Sequence, residues 1–200
     1  EKIKVDNVLL HDVKKWGKWV LEEAKKEIGR FYPPDEDGSI PVGYIWARTI
    51  PCQNPSCGAE IPLFRQYWLA NKEKKKVSLY PYVDEDKVKF KIVGTGYEEM
   101  PRDFNPENGI VYKAVATCPV CGSVVPIKDT HRLFQEGKSG QRMIAVVLHK
   151  NGEQGKKYRI ATERDIDFFC QAEEYLQKKR EELMEEWGID PVPDEALVKT

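Results

Sequence analysis

The stretches CQNPSCGAEIP (52–62) and CPVCGSVVP (118–126) repeat one pattern, a cysteine pair followed by glycine and, four residues later, proline. The first pair encloses four residues and the second encloses two, which is the spacing of structural zinc sites. Two thiolates reach one ion at about 2.3 Å only if the chain doubles back between them. Each stretch therefore predicts a tight turn that supplies two ligands to a shared ion. The predicted ligands are Cys52, Cys57, Cys118 and Cys121.

The glycines that follow the pairs, Gly58 and Gly122, allow a positive φ in each turn. We expect their amides to face the sulfurs and hydrogen-bond the thiolates. Because all four ligand positions are cysteine, no position is left open for water. The sequence therefore predicts one structural Zn²⁺ per chain and no catalytic metal.

Two other interpretations of the cysteines stay open. Two disulfides would suit a secreted protein, but the chain has five cysteines and no basic-then-apolar leader. A redox pair at Cys118 and Cys121 would leave the first pair unexplained. Cys170 is expected to be a small buried residue of the last helix, and His131 is not favoured as a ligand.

Composition limits the kind of protein. A net charge of −1 excludes a chain that is basic throughout, but it allows a local basic patch. No apolar run approaches the ~18–20 residues of a membrane span, and we expect a cytoplasmic protein without membrane contact. The start at Glu1 indicates a processed product or a segment of a longer chain.

The chain reads as an α+β fold, a β-rich zinc-ribbon-like centre with an extended insertion between the cysteine pairs, flanked by N- and C-terminal helices. A capping box at Thr162 and Asp165 begins the last helix, and Gly188 ends it. Apolar residues at helical spacing form a stripe on the first helix: Leu9, Val13, Trp16, Val20, Ala24 and Ile28. The predicted segments are an N-terminal helix (1–30), a linker (31–41), the β-rich domain (42–161) with inserted strands (63–117), a C-terminal helix (162–188) and a tail (189–200).

The inserted strands occupy the 60 residues between the pairs, and zinc is expected to pin their base. IPLFRQYWLA (61–70) reads as one strand. KVKFKIV (87–93) alternates so that Val88, Phe90 and Ile92 share a face and lysines occupy the other. A short helix is predicted at 128–137.

Residues 65–76, RQYWLANKEKKK, follow the first pair and are both basic and aromatic. Lysines there would contact a phosphate backbone and the aromatic rings would stack on bases. The alternative is a solvated hairpin tip whose lysines prevent edge aggregation. Lys87, Lys89 and Lys91 would add a second basic row. The nucleic-acid candidates are Arg65, Tyr67, Trp68, Lys72, Lys74, Lys75 and Lys76.

No catalytic arrangement is evident. Gly137-Lys138-Ser139 is similar to the end of a phosphate-binding loop, but Arg132 stands where its first glycine is required. Gly94-Thr95-Gly96 lacks the third glycine of a dinucleotide site. The residues alone predict a binding or structural module.

The order of motifs resembles the prokaryotic adenine-specific DNA methylases that contain a zinc ribbon. Four stretches within 12–165 carry the resemblance: DVKKWGKWVLEEAKKEIGRFYPP, IWARTIPCQNPSCGAEIPLFRQYWL, CPVCGSVVP and GQRMIAVVLHKNGEQGKKYRIATERD. In that family a glycine-rich S-adenosylmethionine motif precedes this region and an Asp-Pro-Pro-Tyr catalytic motif follows it. Neither motif is present here.

The resemblance implies that this chain is the zinc-ribbon region of a larger methyltransferase and helps to hold or recognise DNA. The four cysteines match the family's zinc positions, and no catalytic residue carries over. S-adenosylmethionine would be bound only by the parent enzyme, and the partners would be the remainder of that chain and DNA. The alternative is a zinc-stabilised protein-interaction or scaffolding module without nucleic-acid contact, in which the acidic last helix meets a partner. A thiol redox enzyme is a third class.

Overall fold

A computed structural model describes residues 7–192, which divide into a unit of residues 41–161 and a helical unit of residues 7–40 and 162–192. The fold is α+β, with N- and C-terminal helices on either side of a β-rich centre along the chain, as predicted. The helices are α1 (Val8–Ile28), α2 (Ile127–Gln135) and α3 (Glu163–Trp187). The strands are β1 (Ile40–Pro51), β2 (Glu60–Pro62), β3 (Trp68–Lys72), β4 (Lys75–Asp84), β5 (Lys87–Gly94), β6 (Val111–Tyr112), β7 (Val115–Thr117), β8 (Val124–Val125), β9 (Gly140–His149) and β10 (Lys157–Ile160).

The strands form three sheets, ordered β10-β9-β1-β2, β3-β4-β5 and β6-β7-β8. In β5, Val88, Phe90 and Ile92 are buried while Lys87 and Lys89 are exposed, which confirms the predicted alternation. The short helix predicted at 128–137 is α2.

The inserted strands do not simply extend from the metal-binding turns. Val77 and Leu79 of β4 and Phe90 of β5 belong to one buried cluster with Ala47 of β1 and Ile144 of β9. The three-stranded sheet of the insertion therefore shares the main core of the unit with the four-stranded sheet. Burial of this core, rather than a metal alone, holds the insertion in place.

The strand predicted at 61–70 is interrupted. The backbone in the middle of this segment forms hydrogen bonds with the loop before β6. Gly109 N donates to Arg65 O at 3.1 Å, and Tyr67 N donates to Pro106 O at 2.7 Å. A Cβ on Gly109 would lie 2.1 Å from the carbonyl oxygen of Phe64, so glycine allows this close approach. β2 consequently ends at Pro62, and β3 begins at Trp68.

In the helical unit, α1 has no buried residue, and its predicted apolar stripe is exposed except for Ala24, which is half-buried. Phe31, just after α1, is buried, and its ring centroid lies 5.4 Å from that of Tyr175 on α3. Glu27 accepts a hydrogen bond from the Tyr175 hydroxyl and pairs with Lys179 at 3.3 Å. These contacts join the end of α1 to α3.

The ends of α3 follow the prediction. The Asp165 carboxylate accepts hydrogen bonds from the Thr162 amide and hydroxyl, both at 2.8 Å. Gly188 ends the helix with φ of 70°.

Residues 1–6 of the predicted N-terminal helix and residues 193–200 of the predicted tail lie outside the described residues. None of the helices within 7–192 is both long and apolar enough to cross a membrane.

Candidate metal centre

The four predicted ligands lie together on two turns, and each turn carries two of them. The turn between β1 and β2 carries Cys52 and Cys57, and the turn between β7 and β8 carries Cys118 and Cys121. All four Sγ atoms lie within 4.8 Å of one another, and no other group of this kind occurs among residues 7–192. The four side chains could therefore hold a metal ion.

The distances between the turns fit tetrahedral coordination. Cys52 Sγ lies 3.6 Å from Cys121 Sγ, and Cys57 Sγ lies 3.9 Å from Cys118 Sγ. Four sulfurs at about 2.3 Å from one ion would be about 3.8 Å apart. A disulfide requires about 2.05 Å, and all four cysteines are free. The arrangement matches a shared ion and not the two-disulfide interpretation.

Each turn closes through its backbone. The carbonyl of Asn54 accepts hydrogen bonds from Cys57 N at 3.0 Å and Gly58 N at 3.2 Å. In the second turn, Gly122 N donates to the carbonyl of Cys118 at 2.9 Å. Gly58 and Gly122 have φ of 59° and 74°, the left-handed conformation that the sequence predicted for them.

The expectation that the glycine amides face the sulfurs is wrong by one residue. Both glycine amides are used in closing the turns, and the following amides, those of Ala59 and Ser123, donate to the sulfurs of Cys57 and Cys121. A positive φ at the glycine reverses the chain direction, so the next N–H points back at the ligand.

The sulfur environments differ in polarity. Hydrogen bonds from the hydroxyl and then the amide of Ser123 lower the pKa of Cys121 to about 6. Burial raises the pKa of Cys52 to about 12. Without an ion the buried thiol keeps its proton, so metal binding must release protons from this cluster.

Side chains outside the ligand set connect the two turns. The side-chain amide of Asn54 donates to the hydroxyl of Ser123 at 3.4 Å, and that hydroxyl lies 3.2 Å from Cys121 Sγ. Arg132 of α2 donates to the side chain of Gln53 at 3.4 Å. Sequence reasoning missed these contacts, although short polar residues beside turn cysteines are a signal for them.

A separate apolar cluster supports the turns. Ile50 of β1, Ile61 of β2, Ala116 of β7, Val125 of β8 and Leu133 of α2 are all buried. Cys52 and Cys118 belong to the same cluster. The ligands are thus held on a packed base made of segments from both halves of the sequence.

Two other expectations about possible ligands have different outcomes. His131 is exposed and lies outside the four-cysteine group, as expected. Cys170 is exposed on α3, so the prediction that it is buried is wrong. The helical periodicity around Cys170 resembles a core position, but α3 has no fully buried residue within the described chain.

The lysines of segment 65–76 lie on a hairpin. Glu73 and Lys74 form the tip between β3 and β4, and Lys72 pairs in register with Lys75. The Lys75 ammonium donates to the carbonyl of Lys156 and lies 5.6 Å from the ring centroid of Tyr158. Among these candidates Arg65, Lys72, Lys74 and Lys76 are exposed.

Tyr67 is not free to stack on bases in the way that the sequence indicated. Tyr67 is only 3% exposed, and its ring packs 5.5 Å from that of Phe64 and 5.8 Å from that of Phe104. Trp68 is half-buried, and its Nε1 is buried without a hydrogen-bond partner. Tyr67 belongs to the main buried cluster, whereas Trp68 is not part of it.

The second basic row on β5 is largely neutralised. Lys89 pairs with Asp84 at 2.5 Å, and Lys91 pairs with Glu98 at 2.6 Å. The Lys138 ammonium, in the segment similar to a phosphate-binding loop, pairs with Glu136 at 2.8 Å. Of the four lysines in these two places, Lys89, Lys91 and Lys138 are paired, while Lys87 is exposed and makes no ion pair within residues 7–192.

Comparison with protein-family models, with curated proteins and with solved structures finds no match to this chain.

Proposed function

We propose that this chain is a non-catalytic module built around one structural Zn²⁺, and that it contributes to DNA binding as an accessory region of an adenine-specific DNA methyltransferase. The observation that carries the proposal is the closed cluster of four cysteines in a unit that also bears a lysine-rich hairpin.

Zinc is favoured by the donor set. Four thiolates in tetrahedral arrangement select zinc or iron, and zinc is the common occupant of single-ion Cys₄ sites. The structure offers the ion no position for water or substrate, since each of the four positions is a sulfur. The ion would hold the two turns together and would take no part in a reaction.

DNA contact is favoured by unpaired positive charge. Within the described chain, Lys72, Lys74 and Lys76 are exposed and form no ion pair. Lysine ammonium groups bind phosphates, and each contact releases counterions from the duplex. The chain as a whole has a net charge of −1, so binding would depend on this local surface.

The parent enzyme rests on the sequence resemblance alone. The motifs along 12–165 are similar to those of zinc-ribbon adenine-specific DNA methylases, in which other parts of the protein bind S-adenosylmethionine and transfer the methyl group. In such a cytoplasmic enzyme, reduced thiols would remain available for zinc. The chain would then work next to a catalytic domain and would not need catalytic residues of its own.

The test of DNA contact is a titration of the metal-loaded chain against a fluorescent 20-base-pair duplex over a salt series. We expect Lys72→Ala/Lys74→Ala/Lys76→Ala to weaken binding and to reduce the salt slope by about one per lysine. The matched control removes three exposed lysines of the helical unit, Lys14, Lys15 and Lys18. Undetectable binding at low salt, or equal effects of the two triple variants, would refute the DNA role.

A second candidate function, protein docking, is favoured by α1. Its apolar side chains are exposed, including Leu9 at 75%, Trp16 at 56% and Val20 at 57%. An apolar helix face of this size is typical of a surface that a protein partner covers. The partner in this version is the remainder of the methyltransferase chain, and a pulldown that keeps that remainder, supplied as a separate polypeptide, after nuclease treatment would support docking.

A further inference from the structure

The β3–β4 hairpin tip lies beside a second turn that is distant in sequence. The Lys75 ammonium donates to the backbone carbonyl of Lys156, 81 residues away, in the turn between β9 and β10. A Cβ placed on Gly155 of that turn would lie 3.7 Å from the same ammonium group. The two turns therefore form one continuous surface.

Two tyrosines fix this arrangement. Tyr158, at the start of β10, donates its amide to the hydroxyl of Tyr97 at 2.6 Å, and its carbonyl accepts from that hydroxyl at 2.9 Å. The Tyr158 hydroxyl donates to the carbonyl of Leu69 on β3 at 3.1 Å. Two hydrogen bonds thus attach this part of the chain to the hairpin, one at the Lys156 carbonyl and one at the Tyr158 hydroxyl, so the two turns are held next to each other.

The charge of the combined surface is strongly positive. Residues 71–76 and 149–157 together contain seven lysines and two glutamates, a net charge of +5 in a chain whose total is −1. Glu153 is already engaged by Lys157 at 2.7 Å and by Lys150 at 3.7 Å. Lys156 is exposed and makes no ion pair within the described residues.

We propose that the β9–β10 turn, through Lys156, forms a single phosphate-binding surface with the lysines of the β3–β4 hairpin, and that this surface contacts the backbone of duplex DNA and not its bases. The inference rests on the proposed DNA role and specifies how that role is carried out. The ammonium group of lysine acts as a point charge on phosphates, whereas base readout uses forked donors such as arginine or asparagine. The two turns supply lysine as their only basic side chain besides His149.

The experiment compares Lys156→Gln with Lys113→Gln in the complete, metal-loaded chain. Both lysines are exposed turn residues of the same unit, and both substitutions remove one charge while keeping the side chain long. We expect Lys156→Gln to weaken binding of a 20-base-pair duplex about three- to tenfold at low salt and to reduce the salt slope by about one. Lys113→Gln should leave both quantities unchanged, and duplexes of two different sequences should bind equally.

A measurement on the unsubstituted chain keeps the proposal testable if a variant folds poorly. Acetylation of each lysine is followed by mass spectrometry with and without duplex, and we expect DNA to protect Lys156 and Lys74 but not Lys113. If Lys156 is neither protected nor needed while the hairpin triple variant loses affinity, this inference is wrong and the DNA role stands. If the chain does not bind duplex at all, both fail. A more than tenfold preference between the two duplex sequences would overturn the restriction to phosphates.

Discussion

The side-chain amide of Asn54 lies 3.4 Å from the hydroxyl of Ser123 and joins the two cysteine turns across a sequence separation of 69 residues. The same hydroxyl lies 3.2 Å from Cys121 Sγ. Asn54 also closes the first turn by accepting hydrogen bonds at its backbone carbonyl. These hydrogen bonds connect the two cysteine turns directly, in addition to any connection through a shared ion.

Ser123→Ala is expected to weaken metal binding. The substitution removes the hydroxyl that is hydrogen-bonded to Cys121 Sγ and to the Asn54 amide, and loss of such an outer partner typically costs 10- to 100-fold in affinity. Competition with a coloured chelator measures the change. Ser56→Ala is the control, because only the backbone N–H of Ser56 bonds to Asn54, at 3.1 Å. Equal affinities of the two variants would show that the Ser123 hydroxyl does not support the site.

Tyr67→Phe is expected to change stability at alkaline pH. Burial raises the pKa of Tyr67 from 10.0 to about 12, because the folded chain favours the neutral phenol. Its contribution to stability is complete below pH 10 and is lost as the pH rises towards 12. In urea unfolding across this window, the free energy of unfolding should fall less steeply for Tyr67→Phe than for the unsubstituted chain. Tyr82→Phe, at an exposed position, should behave like the unsubstituted chain, and three identical slopes would contradict this account.

Gly94→Ala and Gly96→Ala should differ although both residues have positive φ, 110° and 85°. A Cβ on Gly94 would lie 2.1 Å from the carbonyl oxygen of Lys76, whereas Gly96 has no atom within 4 Å of its Cβ position. We expect Gly96→Ala to cost about 1–2 kcal/mol of unfolding free energy from backbone strain. Gly94→Ala should cost about 1–3 kcal/mol more, because β4 and β5 must move apart. Equal losses in urea unfolding would show that the close contact is relieved without cost.

Polar substitutions on α1 should leave the isolated chain stable. Trp16 and Val20 are more than half exposed, and substitutions at such surfaces usually change the unfolding free energy by less than about 0.5 kcal/mol. Thermal unfolding of Trp16→Ser/Val20→Ser should therefore match that of the unsubstituted chain. Leu133→Ala, which truncates a side chain buried under the cysteine turns, should cost about 2–5 kcal/mol. A comparably large loss from the α1 variant would mean that this face packs within the chain.

What the sequence could predict was local. The cysteine spacing and the following glycines define two turns within a few residues each, so the cluster of Cys52, Cys57, Cys118 and Cys121 was predictable. The ends of α3 were likewise predictable, because a capping box and a terminal glycine act through neighbouring backbone groups.

What the sequence could not predict depends on distant partners. The ring of Tyr67 packs against that of Phe104, and the carbonyl of Lys156 accepts a hydrogen bond from Lys75. These partners are far apart in the sequence, so a local sequence pattern does not predict the contacts. The apolar stripe of α1 has the same periodicity whether its partner lies in this chain or elsewhere, so its exposure could not be inferred. The prediction that Cys170 is buried was wrong for the same reason, because helical periodicity does not show which partner covers a face.

The central claim is that the two cysteine turns share one structural zinc ion, and the metal content of the purified chain tests it most directly. Elemental mass spectrometry of chain prepared under reducing conditions should give one zinc per chain, unchanged in Cys170→Ser and lost in Cys52→Ser and Cys118→Ser. Loss of the ion should also lower thermal stability, because binding of structural zinc is coupled to folding. A fully folded chain without metal, or one in which these cysteines form disulfides, would contradict the claim.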